Sequence, residues 1–278
     1  MREAITSAAG SKVGRRLPDA PLDAVAALGR GVFAACRATG SLTLFALSGV
    51  SHLLRPPFYG RMFLRAFIEF GYFSLPVVAL TAIFTGMVLA LQSSTGLARF
   101  SAETAMPSLV VLSITRELGP VLAGLMVAGR VGAAMAAEIG TMRVTDQIDA
   151  LQTLSTDPMK YLVAPRLLAG AVALPLLVLV GDILGVMGGF LIATVSLGFN
   201  AATYLRNTVD YLQTIDVVSG LVKAAVFGFI IALLGCFHGY SSRGGAQGVG
   251  AATTSAVVAA SVLILAFDYG LTELFFAK

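Results

Sequence analysis

The sequence predicts an all-α integral membrane protein: an N-terminal interfacial amphipathic helix, then five transmembrane helices, with a short helix between the second and third spans. Three observations carry that prediction. Hydrophobic residues make up 57% of the 278-residue chain and charged residues only 12%, about half the charged share of an ordinary soluble domain. The apolar residues gather into runs that reach the roughly 20 helical residues needed to cross a bilayer core. Lys and Arg, finally, are shared unequally between alternate loops. The net charge of +4 comes from basic residues at membrane flanks, not from one patch, so no nucleic-acid partner is indicated.

Taken in order, residues 1–21 are mostly polar, carry Lys12, Arg15 and Arg16, and are expected to be disordered without a signal peptide. Residues 22–57 form an amphipathic segment with Arg30 and Arg37 on its polar side. Its most apolar part, 42–54, is about 13 residues long, short of a span, so the segment is expected to lie in the interface. Pro56-Pro57 ends it. The five-helix domain, 58–278, follows, with spans expected near 66–93, 108–142, 161–197, 217–240 and 252–275. The second and third exceed a bilayer core and must tilt or project. The loop 198–216 contains YLRNTVDYLQ, a turn or two of amphipathic surface helix. Of the 19 Lys and Arg, 13 fall on one side and three on the other. That asymmetry places the N-terminus and the loop after residue 143 in the cytoplasm and the C-terminus outside.

The stretch 116–158 organises the chain. Its first part is rich in Gly119, Ala123, Gly124, Gly132, Ala136 and Gly140, which let helix backbones approach closely where lipid supplies no hydrophobic drive. From Arg143 it turns polar. Val144, Ile148, Leu151 and Leu154 step by four, three and three onto one helical face, while Arg143, Asp146 and Asp149 lie mainly elsewhere. Asp157-Pro158 supplies a cap and then a proline at the first position of a new helix. A membrane helix that runs into a short surface helix and straight back is either a re-entry helix in the headgroups or a grip for a soluble partner.

Catalytic signals are missing. His52 and His238 are not spaced as metal ligands, Cys36 and Cys236 form no CxxC pair, and neither GxSxG nor HExxH occurs. The glycine-rich loop 239–254 has no lysine directly after glycine, so it is no P-loop. No metal site and no cofactor are expected in this chain. The charges inside spans are Arg116, Glu117, Arg130, Glu138, Asp182, Lys223 and Asp268, each either functional or an interhelical partner. Arg130 and Glu138, about two turns apart, share a face without touching. Arg116 is positioned either to attract a lipid phosphate, with Glu117 holding it in place, or to pair with another helix. An ion-coupled secondary transporter would use these charges itself, but would show inverted repeats and broken helices. A lipid-modifying enzyme would need a nucleophile or metal.

RELGP (116–120), EIGTMRVTDQIDAL (138–151) with DP at 157–158, GMVLALQ (86–92), SAET (101–104), VFGFIIAL (226–233) and GVGAATTSAVV (248–258) together resemble the MlaE/YrbE family. These are permease subunits of Mla-type (Mce-associated) lipid ABC transporters. The resemblance runs from about residue 65 to the C-terminus. It implies a permease homodimer in the bacterial inner membrane, a cytoplasmic ABC ATPase that binds the ATP and Mg, and a lipid-binding Mce-domain protein on the periplasmic side. The cargo would be phospholipid moved between inner and outer membranes to maintain outer-membrane asymmetry; another lipid such as a sterol is the alternative. The segment 143–154 would then be the coupling helix, with Arg143, Val144, Asp146, Ile148, Asp149, Leu151 and Leu154 toward the ATPase. Val88, Leu89, Gln92, Leu97, Phe100, Arg116 and Glu117 match the region lining the lipid cavity between the two copies.

Overall fold

The structure is a computed structural model that describes residues 20–53 and 55–277. The chain divides into two compact units, Met1–Phe45 and Ala46–Lys278. In the first, the described part is the N-terminal stretch of helix α1 (Ala20–Leu53), on which Val32, Phe33 and Leu44 are exposed. The expected disorder of residues 1–21 falls largely on residues 1–19, outside the described residues; Ala20 and Pro21 already belong to α1.

The second unit takes the end of α1 and then α2 (Gly60–Phe70), α3 (Leu75–Ala98), α4 (Met106–Val144), α5 (Gln147–Thr153), α6 (Met159–Val195), α7 (Ala201–Tyr211), α8 (Thr214–Tyr240) and α9 (Gly245–Phe276). No strand occurs among the described residues. Gly60–Ala98, α4, α6, α8 and α9 are each long and apolar enough to cross a membrane, which matches the five expected spans. The protein is therefore an all-α, multi-pass membrane protein. Two details differ from the expectation. The 25-residue stretch Gly29–Leu53 also satisfies the length and hydropathy of a span, because α1 continues well N-terminal of the apolar run at 42–54. Length alone thus does not assign α1 to the interface. The first span, moreover, is broken: α2 stops at Phe70, turns through Gly71–Ser74, and restarts as α3 with Pro76 in its first turn. Proline has no N–H to continue an incoming helix but fits a first turn, so the restart falls there.

Packing centres on α6 and α8. Helix α6 lies against α2, α3 and α8, while α8 also contacts α4 and α9. Lipid is as apolar as leucine, so the tight contacts are made by small residues instead. Gly170 of α6 meets Gly228 of α8 so closely that a Cβ on either would run into the other's carbonyl. Between α3 and α6, a Cβ on Gly86 would run into the carbonyl of Gly185, and one on Gly185 would crowd the carbonyl of Ala82. At one end, α7 is capped by Asn200, whose side chain accepts from the N–H of Ala202 and Thr203. It buries Tyr204 among Met106, Val110, Ile114, Ala90 and Ala193. The YLRNTVDYLQ loop is thus three turns of packed helix.

Helix α4 contains two π-helical turns, Ile114–Leu118 and Ala128–Gly132. Each carries arginine. The first has a covalent cause: Pro120 cannot donate to the carbonyl of Arg116, four residues back, and the wider turn relieves the clash.

Candidate functional site

The first π-turn sends its two charged residues to different partners on the same two helices, α8 and α9. Successive helical residues are about 100° apart, so Arg116 and Glu117 diverge. Arg116 bonds Asp216 of α8, with Nη2 2.7 Å and Nε 2.8 Å from Oδ1, and stacks 4.3 Å from the centroid of the Phe276 ring. Asp216 is fully buried, and its other oxygen accepts from the Gln213 N–H in the first turn of α8. A carboxylate at that position is also favoured by the helix dipole. Glu117 turns instead to Lys223, whose Nζ lies 2.8 Å from Glu117 Oε2, 2.6 Å from Thr272 Oγ1 and 2.9 Å from Asp268 Oδ1. Lys223 also donates to the Arg116 carbonyl at 2.9 Å, the same carbonyl that Pro120 leaves without a helical donor. The ammonium has three N–H groups for four acceptors. Asp268 is the one left with charge attraction and no aligned hydrogen bond.

Of the two readings the sequence offered for Arg116, the structure displays the interhelical pair: Glu117 turns away from Arg116, and both belong to a layer of pairs joining α4, α8 and α9. The other intramembrane charges also turn to neighbouring helices. Glu138 pairs with Arg166 of α6 at 2.8 Å. Arg130, on the second π-turn, donates to the Glu69 carbonyl at 3.2 Å and to Ser74 Oγ at 2.8 Å, capping the break between α2 and α3. Asp182 is buried in α6 with Oδ1 unpartnered among the described residues.

The remaining expected lipid-contact residues lie on α3 and just after it, and the helix separates them. Val77, Leu80, Phe84, Val88 and Leu91 form one exposed apolar stripe at helical spacing. Gln92 and Phe100 line an open hollow of about 480 Å³ together with Leu91, Thr95 and Arg99. Leu89 and Leu97 point the other way and pack against the cluster around Tyr204 and Met106. Both are partly buried there. Arg99 was not among the expected contacts, although its spacing of four from Thr95 and eight from Leu91 places it on the same face.

At the opposite end α4, α5 and α6 form an elbow. The expected single helix over 143–154 is shorter: Arg143 and Val144 finish α4, Asp146 takes a left-handed conformation (φ 58°), and α5 covers Gln147–Thr153. The apolar ridge divides accordingly. Ile148 is fully buried, Val144 and Leu151 are half-buried, and Leu154, just past the helix, is 75% exposed. Asp149 does not wait for a partner's cation; Arg143 donates to it at 2.6 Å and also lies 5.7 Å from the Tyr240 ring centroid. The new helix after Asp157-Pro158 begins as expected, with the Asp157 carboxylate accepting from the Met159 N–H. Asp157 also meets His52 of α1 at 2.9 Å.

Among the described residues no group of three His, Cys, Asp or Glu converges as metal ligands. The class is thus a polytopic, all-α membrane protein with a layer of interhelical charge pairs, an open hollow at the end of α3 and a polar elbow between α4 and α6. The chain belongs to the MlaE permease family: the family described as Permease MlaE matches residues 63–274. It is 60% identical to a probable ABC transporter permease protein of Rickettsia felis over 240 residues, 86% of this chain and 93% of the relative. It is 37% identical to the intermembrane phospholipid transport system permease protein MlaE of Haemophilus influenzae over 209 residues, 74% of this chain and 79% of that one. The chloroplastic protein TRIGALACTOSYLDIACYLGLYCEROL 1 of Arabidopsis thaliana is 36% identical over 236 residues, 85% of this chain and 67% of that protein.

Proposed function

We propose that this chain is the permease subunit of an ABC transporter that moves phospholipid between the inner and outer membranes, as a homodimer in the bacterial inner membrane. Hydrolysis of ATP belongs to a cytoplasmic ATPase subunit, and an Mce-domain protein receives or delivers lipid on the periplasmic side. Family membership carries this reading, together with the intermembrane phospholipid transport for which the Haemophilus relative is named. The elbow supports the division of labour. It presents Leu154, Gln152 and Thr153 outward while Ile148 anchors it to the body, the form needed to transmit a push from a soluble subunit. The exposed stripe on α3 and the hollow at Gln92 and Phe100 suit acyl chains between two copies.

The test is reconstitution in liposomes of this chain with its ATPase and Mce-domain partners, following a fluorescent phospholipid. Transfer that requires all three subunits and ATP hydrolysis is expected. An assembled, ATP-hydrolysing complex that moves no phospholipid would defeat the reading.

In this proposal α1 lies along the cytoplasmic interface rather than across the bilayer, with the N-terminus inside and the C-terminus in the periplasm. The loop asymmetry in Lys and Arg supports it. A cysteine at Ser41 or Ser48 is then expected to resist membrane-impermeant reagents in intact spheroplasts. Labelling of either from outside would make α1 a sixth span.

A further inference from the structure

A second hollow, of about 680 Å³, lies along α2 where it faces Arg130 of α4. Three guanidinium groups line it. Arg61 and Arg65 stand one turn apart on α2, exposed, and neither makes an ion pair or hydrogen bond among the described residues. Arg130 uses Nη1 on the α2–α3 break and leaves the rest of its fork toward the hollow. One carboxylate, Glu69, opposes the three cations. Between the arginines the wall is apolar, formed by Leu64, Ile68 and Phe73, with the Phe73 ring centroid 5.8 Å from the Arg130 guanidinium.

Depth matters here. Arg130 is 14 residues before the end of α4, about 21 Å along the helix from the elbow, inside the span. An exposed guanidinium at that level does not face lipid tails; it faces water, a pairing anion, or both. Cationic forks set among apolar side chains, two at the start of a span and one within it, and two charges in excess, match an amphiphile with a phosphate head. They match an acidic protein surface less well, since such a surface would have no use for the apolar wall.

We propose that this hollow holds a phospholipid by its phosphate, Arg61 and Arg65 supplying the charge-assisted hydrogen bonds and Leu64, Ile68 and Phe73 the bed for its chains. It is a lipid position at the elbow end, separate from the hollow at Gln92 and Phe100, and it rests on the reading of the chain as a phospholipid permease. The same phosphate chemistry would also accept inorganic phosphate, and the experiment separates the two.

The full-length chain, assembled with its ATPase, is placed in nanodiscs of phosphatidylcholine and phosphatidylglycerol carrying radiolabelled phosphate. A photoreactive p-benzoylphenylalanine replaces Leu64 in one sample and Leu91 in another. Lipid labelling at both positions is expected. Arg61→Gln with Arg65→Gln should cut labelling at position 64 by roughly ten-fold or more, the effect of losing two charge-assisted contacts, and leave position 91 unchanged. Millimolar inorganic phosphate should not compete. Labelling at 91 but not 64 overturns this inference and spares the phospholipid reading, whereas silence at both strikes the reading itself. Loss of labelling at 64 with added phosphate assigns the hollow to the free anion, and crosslinking of 64 to a second permease copy assigns it to the dimer contact; either outcome overturns the lipid site.

Discussion

Two groups of charges sit on the spans of this protein and behave differently. Near the end bearing α7, Arg116, Glu117, Asp216, Lys223 and Asp268 meet one another, and Lys223 and Asp216 are wholly buried. Along α2, Arg61 and Arg65 face open space, and only Arg130 is tied down. The first group is a clasp between α4, α8 and α9. In the second, Arg61 and Arg65 have no partner among the described residues, which is what the proposed lipid position draws on. Intramembrane charge by itself therefore marks no function; what separates a structural charge from a ligand-seeking one is whether its partners come from the same fold.

Removing one member of the clasp tests the contrast most severely. Lys223→Leu leaves Glu117 and Asp268 facing each other without a cation, and breaking a buried pair in this way costs about 3–5 kcal/mol. The variant is expected to lose most of its folded yield in detergent, measured by size-exclusion chromatography. Neutralising the carboxylates as well, with Glu117→Gln and Asp268→Asn, should recover much of it. A stable Lys223→Leu single variant would show that the layer is not a clasp.

The elbow offers a smaller effect that divides one sequence ridge into two roles. Ile148→Ala removes a fully buried side chain and should cost about 2–5 kcal/mol of permease stability. Leu154→Ala should shift stability by less than about 0.5 kcal/mol. If Leu154 seats in the ATPase, its loss should weaken association about ten- to a hundred-fold, from the roughly 1.5–3 kcal/mol of a buried leucine. Pull-down of the ATPase by equal amounts of folded permease measures this. Undiminished recovery with Leu154→Ala would remove it from the coupling surface. Smallest of all, Arg61→Gln is expected to move the melting temperature in detergent within error, since the side chain has nothing to lose inside the fold. A large drop there would reassign α2 to the structural group.

Much of the architecture was legible before any coordinates. Apolar runs of sufficient length marked the spans, and the polar stretch after Arg143 marked the elbow, because both signals come from partition between lipid and water. What stayed hidden depends on rotation and continuity. Hydropathy averages across Gly71–Ser74 and so cannot report that α2 and α3 are separate helices, although Gly71 and Pro76 both sit at the break. Leu89 and Leu97 are as apolar as Val88 and Leu91, and only the fold shows which of them look inward. Arg116 and Glu117 are neighbours in sequence, yet their 100° offset sends them to different partners. The left-handed Asp146, which cuts the expected 143–154 helix short, is a position that aspartate tolerates better than most residues but does not announce.

The two wide turns in α4 set a phase. A π-turn accommodates about one residue more than an α-turn, so each acts as a single-residue insertion that rotates everything beyond it by about 100° relative to a regular helix. Between the turn at Ile114–Leu118 and the end at Val144 the chain carries one such insertion, at Ala128–Gly132. The azimuth of the elbow relative to the charge clasp is thus written into that turn. Deleting one residue there, Gly129 for instance, would let the turn close to a regular α-turn and leave Glu138, Arg143 and α5 at the same azimuth, whereas deleting one from the regular helix beyond it, Ala136 for instance, would swing Arg143 and the whole of α5 by about 100°. Two chains of equal length, each short of one residue at one place or the other, would then present the elbow on different sides.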